Sequence, residues 1–437
     1  MKFLLESILY ILSRMVIARQ KPRIVAITGS VGKTSTKEAI YAVMKDKFHA
    51  RRGFLNFNNE IGVPLTILGI NHHGKNIFGW LKSFAQVLRF VIWKTKKYPE
   101  LLVLEMGADH PRDISYLTRL APPYVGVLTA IGEIPVHVEF FSGPQALAEE
   151  KSKIIRALPR EGFAIINIDD AALAGMVSRT HAHVITFGFD EHASVRISDV
   201  ELSTDTHRTT GDEIPEGISF TLTHGTESVQ AKIKNAFGKP QAYAGAAAAA
   251  VGIGLGMTLP EIAKELENYE PPAGRLRLIK GIKGSYILDD TYNSSPEALH
   301  AALDTLRDLP GKRRIAVVGD MLELGKFSEE AHRAAGDHIA SLADVLITVG
   351  PRMKFAAEEA GRGLENRRSI HAENILSFDM SADAGKALDP LLQEGDLILV
   401  KGSQGMRMER VVEEIMAEPM RARELLVRQS EYWKRKP

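Results

Sequence analysis

The stretch Arg23-Ile-Val-Ala-Ile-Thr28-Gly29-Ser30-Val31-Gly32-Lys33-Thr34-Ser35 constrains this chain more than any other part of it. Its apolar run reads as a buried strand, its two glycines as a tight turn, and the residues from Lys33 onward as a helix. A strand that enters a helix through glycines is a phosphate cradle. Backbone N–H groups can approach phosphate oxygens closely there, and the helix N-terminus favours negative charge. Lys33 then offers a cation to the terminal phosphates, and the Thr34 hydroxyl can hold Mg²⁺. The longer pattern G-x-x-x-x-G-K-[ST] is not met, because Ile27 stands at its first glycine; the chain carries T-G-x-x-G-K-T instead. A plain structural turn would explain Gly29 and Gly32 but not Lys33 and Thr34 on a helix start. Nucleotide binding is therefore expected, while the reaction stays open, since unrelated chemistries share such loops.

Further strands are expected at Leu101–Met106, Val125–Ala130 and Ala164–Asn167, alternating with helical patterns such as Gln145–Leu158. Between about 183 and 233 short alternating strands with polar turns suggest an antiparallel extension. Gln241–Gly256 reads as a close-packing helix rich in alanine and glycine. Tyr269-Glu-Pro-Pro-Ala-Gly274 comes next as a candidate linker, and a second α/β series begins with Tyr286–Asp289, Arg314–Val318, Val345–Val349 and Leu397–Val400. The fold class is α/β, with a mainly parallel sheet in a phosphate-loop domain and a Rossmann-like α/β domain after it. The expected units are a helix at 1–21, a central domain at 22–272 and a C-terminal domain at 273–437.

The 437 residues carry 55 lysines and arginines against 54 acids, a net charge of +1 that gives no global field for nucleic acid. Cysteine is absent, which removes disulfides, thiolate metal sites and cysteine nucleophiles, and fits a cytoplasmic protein. The first 19 residues resemble a signal peptide only superficially, since Glu6 and Arg14 interrupt the apolar run. They read as an amphipathic helix that either docks on the protein body or meets a membrane surface or partner. Ile77–Trp93, rich in Phe, Trp, Leu and Val with Lys82 and Arg89 between them, is expected to pack against residues 3–18, with contact to lipids as the alternative.

Glu105 closes the strand Leu101–Met106, where a carboxylate faces the ligand crevice of an open α/β sheet and can serve Mg²⁺. A polar strand cap is the plainer alternative. His137, in the loop after strand 125–130, is a second metal candidate. Lys151, on its spacing alone, is a solvated helical lysine.

Together Thr28–Thr34, Asn56-Phe-Asn58-Asn59-Glu-Ile-Gly62, Glu105-Met-Gly107, His137 and Lys151 resemble the Mur ligase family of ATP-dependent amide-bond synthetases. Asp289-Asp290-Thr-Tyr292-Asn293-Ser-Ser-Pro296, Val318-Gly319-Asp320-Met321-Leu-Glu323-Leu-Gly325, Lys401-Gly-Ser403 and Met408-Glu409 are similar to the branch that adds D-Ala-D-Ala to a nucleotide-linked muropeptide. The resemblance implies ATP held by Gly29, Ser30, Gly32, Lys33, Thr34 and Ser35, and two Mg²⁺ ions. Thr34 and Glu105 would serve the first ion. His137 would serve the second with Lys151, whose amine would be carbamylated by CO₂. It also implies that Asn58 and Asn59 meet substrate, that Arg275 reaches the γ-phosphate and Asp290 the ribose, and that Tyr292 and Asn293 lie near the nucleotide. Lys33, Lys151, His137 and Arg275 would form the catalytic set, and a monomer is expected.

Two departures from the family pattern stand out. Only one helix precedes Ile24, too short for the domain that grips the UDP-sugar in relatives, so the acyl substrate and its capture are open. At Gly238-Lys-Pro-Gln241-Ala-Tyr243-Ala244, where relatives carry G-x-H-N-x-x-N, Gln241 could still read a base but Ala244 could not. Folylpolyglutamate- or cyanophycin-like ligation, and a non-catalytic ATP-binding scaffold, are the competing readings.

Overall fold

A computed structural model describes residues 2–53, 57–74, 76–206, 213–362 and 370–435. Asn56, part of the asparagine motif, lies outside them.

The first sheet has nine strands: β1 (Arg23–Thr28), β2 (Ala50–Arg52), β3 (Leu101–Glu105), β4 (Val125–Leu128), β5 (Phe163–Asn167), β6 (His183–Gly188), β7 (Val195–Thr206), β8 (Glu213–His224) and β9 (Glu227–Lys234). Their order is 2-3-1-4-5-6-7-8-9, parallel from β2 through β7 and antiparallel across β7, β8 and β9. The alternation of β1 explains why both faces are covered. Val25 and Ile27 pack on one side with Ile40 and Val43 of the helix Lys33–Met44 and the alanines of Lys239–Gly254. Ile24 and Ala26 face the other side, with Leu9 and Val16 of Lys2–Gln20 and Leu147 of Pro144–Arg156. The small side chains of Lys239–Gly254 let it nest against Lys33–Met44 and against the helix Leu259–Leu266, where a Cβ at Gly252 would stand 2.8 Å from Ile262 Cδ1.

The second sheet has six strands: β10 (Arg277–Lys280), β11 (Tyr286–Asp290), β12 (Arg313–Gly319), β13 (Val345–Val349), β14 (Ile375–Phe378) and β15 (Asp396–Lys401). The order is 10-11-15-12-13-14, with only β10 antiparallel. Apolar clusters cover both of its faces. Residues 269–274 connect the two sheets without helix or strand.

The helices Lys2–Gln20 and Ile77–Ile92 pack together, as the aromatic and aliphatic spacing of the second suggested. Gln20 ties their C-terminal ends, donating from Nε2 to the Phe90 and Trp93 carbonyls at 2.5 and 2.7 Å and accepting from the Thr95 N–H at 3.1 Å. No described helix is long and apolar enough to cross a membrane.

Candidate active site

Both sheets turn their carboxyl ends toward one cavity of about 580 Å³. Loops after β1, β3 and β4 bring Ser30, Lys33, Glu105 and His137 to it, and the segments around β11, β12 and β15 bring Arg275, Tyr292, Asn293, Glu323 and Ser403. Ligands of open α/β sheets bind at such edges.

The phosphate loop is held by Thr129 and Ala130, directly after β4. Ser30 N–H donates to the Ala130 carbonyl at 2.6 Å, and Thr129 Oγ1 donates to the Val31 carbonyl at 2.6 Å. Gly29 must be glycine: its φ is +150°, and a Cβ would lie 2.0 Å from Thr129 Oγ1 and 2.9 Å from the Ala130 oxygen. Gly32, at φ +84°, precedes the helix. Lys33 Nζ reaches back over the loop to the Gly29 and Ser30 carbonyls at 2.7 and 3.1 Å. Burial lowers its pKa, opposed by the attraction of Glu105.

Glu105 is 3% exposed and has two neighbours. Thr34 Oγ1 lies 3.1 Å from its Oε2, and Asn58 Nδ2 lies 3.3 Å from its Oε1. A hydroxyl and a carboxylate beside a phosphate loop are the hard oxygen donors that suit Mg²⁺. Asn59 is occupied locally, its Oδ1 accepting from Ile61 and Gly62 N–H ahead of the helix Gly62–Leu68.

Lys151 departs from the solvated lysine that its spacing suggested. It is 1% exposed on Pro144–Arg156, and its Nζ donates to Ser30 Oγ at 2.7 Å. Burial, then the nearby positive charge of Lys33, drives its pKa well below the ordinary lysine value. His137, in a left-handed backbone conformation at φ +68°, has Nδ1 2.8 Å from Glu323 Oε2, a close contact without hydrogen-bond geometry, and Nε2 3.5 Å from Asp109 Oδ1. Its presence beside Glu323 holds that carboxyl below the usual range. Glu323 and Asp109 are site residues that sequence reasoning did not assign; their closeness to His137 comes from tertiary structure. Among the described residues no three His, Asp or Glu side chains close into a preformed cation cage.

Arg275 stacks on the Tyr292 ring at 4.0 Å, and its buried Nε has no hydrogen-bond partner. Such a donor at a cavity wall fits an anion. Asn293 lines the same cavity and accepts from Gln404 N–H at 3.2 Å through Oδ1.

Three expected nucleotide contacts lie elsewhere. Asp290 is buried against Lys401, Oδ2 to Nζ 2.6 Å, and does not line the cavity. Gln241 is consumed at both ends, accepting from Tyr269 Oη at 3.0 Å and donating to the Arg275 carbonyl at 3.0 Å. Ser35 is buried and meets Tyr269. A separate apolar pocket of about 220 Å³ opens beside Val31 and Gly32, lined also by Thr129, Asn167, Phe187 and Tyr243. Val31 and Gly32 belong to the phosphate loop and Tyr243 to the segment Gly238–Ala244 already singled out, while Asn167 was legible only as the polar end of a buried strand.

The Mur ligase middle-domain model matches residues 27–80 and 81–252, and the Mur ligase glutamate-ligase-domain model matches 274–404. The UDP-N-acetylmuramoyl-tripeptide–D-alanyl-D-alanine ligase of Bacillus subtilis is 30% identical over 405 residues, 91% of this chain and 77% of that protein. The crystal structure of MurF from Acinetobacter baumannii matches at TM-score 0.76 and 26% identity, covering 94% of this chain and 80% of its own. MurF from Thermotoga maritima in complex with ADP matches at 0.75 and 28%, covering 94% and 83%. With the cavity walled by residues from both matched regions, the chain belongs to the Mur ligase family.

Proposed function

We propose that this ligase uses ATP to join D-Ala-D-Ala to UDP-MurNAc-tripeptide in the cytoplasm, a step of peptidoglycan precursor synthesis, through an acyl phosphate. The observation that carries this is the convergence of Lys33, Glu105, His137 and Arg275, from two different sheets, on one cavity whose loop serine is held by Lys151. The names of the relatives support the substrates.

The terminal carboxylate of the tripeptide attacks the γ-phosphorus of ATP; the bond to the bridging oxygen breaks and ADP leaves. The amine of D-Ala-D-Ala then attacks the acyl carbon, phosphate departs with the C–O bond electrons, and the amine gives up a proton as the amide forms. Reacting anions repel one another, so cationic groups are the main catalytic need. Lys33 neutralises the transferring phosphate, and the unpaired Arg275 Nε donates to it from the opposite wall. Thr34 and Glu105 would hold one Mg²⁺, and His137 with a carbamate on Lys151 would hold another. Those ions supply charge neutralisation on the phosphate oxygens. Burial lowers the Lys151 pKa and so favours the free amine that CO₂ requires. The apolar pocket beside Val31 suits the adenine, with Tyr243 and Asn167 at its walls.

We take residues 22–272 and 273–437 as the two catalytic units, with closure between them assembling Lys33 and Arg275 and excluding water. A phosphate-release assay offering UDP-MurNAc-tripeptide and D-Ala-D-Ala singly and together tests the substrates. Release only with both supports the reading; release with neither, or only with a different acid and amine, overturns it.

A further inference from the structure

Beyond the ligase site, the paired helices Lys2–Gln20 and Ile77–Ile92 expose an apolar face that nothing among the described residues covers. Ile77, Leu81, Leu88 and Ile92 recur at spacings of four, seven and four, which puts them on one stripe of the helix, and they are 65%, 59%, 49% and 50% exposed. Trp80, Ser83 and Val87 of the same helix turn inward. The neighbouring helix repeats the arrangement: Leu4, Ile11 and Met15 are exposed while Leu9, Ser13 and Val16 are buried. Two adjoining helices with outward apolar rows exceed the scattered apolar residues of an ordinary surface.

Charge identifies the occupant. Residues 1–22 and 61–99 hold ten lysines and arginines against the single acid Glu6, although the whole chain carries only +1. Lys82 and Arg89 flank the exposed stripe, and Trp93 ends it beside Lys94, Lys96 and Lys97. Apolar rows edged by cations and closed by an exposed tryptophan match the headgroup–acyl boundary of a bilayer. Cations set beside exposed apolar rows favour an anionic bilayer over an uncharged protein partner.

We propose that this face seats the enzyme on an anionic lipid surface, with the apolar rows entering the interface and the cations meeting lipid phosphates. Each cation near such a surface contributes roughly fivefold to partitioning, and salt screens it. Flotation of the full chain with vesicles of phosphatidylcholine, with or without phosphatidylglycerol, tests this. Binding is expected only to the phosphatidylglycerol vesicles, and it should fall at high salt. The paired substitutions Leu81→Asp and Leu88→Asp should lower it tenfold or more, as should Lys82→Glu with Arg89→Glu, while all variants keep the wild-type circular dichroism spectrum. These side chains are exposed and do not line the cavity, so phosphate release with soluble substrates should be unchanged. No flotation, equal binding to both vesicles, or a solution dimer that the same substitutions dissociate would overturn the proposal. Because this readout needs no turnover, it fails or succeeds independently of the substrate assignment.

Discussion

Lys151 Nζ donates to Ser30 Oγ at 2.7 Å from a position almost wholly out of water. Burial and Lys33 lower the pKa of this amine well below that of an exposed lysine, which raises the share of free amine open to carbamylation. With ¹³C-labelled bicarbonate, the wild-type chain should give a carbamate resonance that Lys151→Ala lacks. Turnover of the wild type should fall when CO₂ is stripped and recover on its return.

Removing either anion-handling group should be severe. Lys33→Ala or Glu105→Ala is expected to lower ADP release by about 10²–10³-fold, the usual consequence of deleting one preorganised electrostatic group. Steady-state assays would detect this, with Glu105→Ala also needing more Mg²⁺ for half-maximal rate. Wild-type-like release from either variant would count against the assignment.

Gln241 separates a structural from a base-reading role. Both ends of its amide are bonded, to Tyr269 and to the Arg275 carbonyl, so Gln241→Ala should destabilise the fold by roughly 1–3 kcal/mol through unmet buried groups. Calorimetric titration should give an ADP affinity within about threefold of wild type, a difference well under the ~1.4 kcal/mol of a tenfold change. Normal melting with tenfold weaker binding would restore the adenine role.

Asp289 sets a pH dependence. Burial raises its carboxyl to about 6 from the ordinary 3.8, despite bonds from Thr291. The folded state therefore binds the proton more tightly than the unfolded chain between those values. Its contribution is complete below about 4 and is lost as pH rises through about 6. The melting temperature of wild type relative to Asp289→Asn should decline over that interval, by the equivalent of roughly 1–3 kcal/mol. A difference that stays flat or rises would contradict it.

Much of this was legible in sequence because local rules agreed with tertiary need. β1, its glycine turn and Lys33–Met44 arise from an apolar run, two glycines and a helix start. β10 and β14 escaped, being four residues long with mostly half-exposed positions that lack a clean alternation. Lys151 could not be read as buried, since the enclosing partner is Ser30, 121 residues away. Glu323 beside His137 and Lys401 beside Asp290 are likewise products of sheet placement, invisible to spacing. Ser35, Asn59, Gln241 and Asp290 bear residue types that suit ligands, yet each is engaged by a neighbouring group.

The most direct test of carboxyl activation in this cavity tracks an oxygen atom. UDP-MurNAc-tripeptide carrying ¹⁸O in its terminal carboxylate, turned over with ATP and D-Ala-D-Ala, should deliver one labelled oxygen to each released phosphate, as read by mass spectrometry. Phosphate released without label would contradict the account.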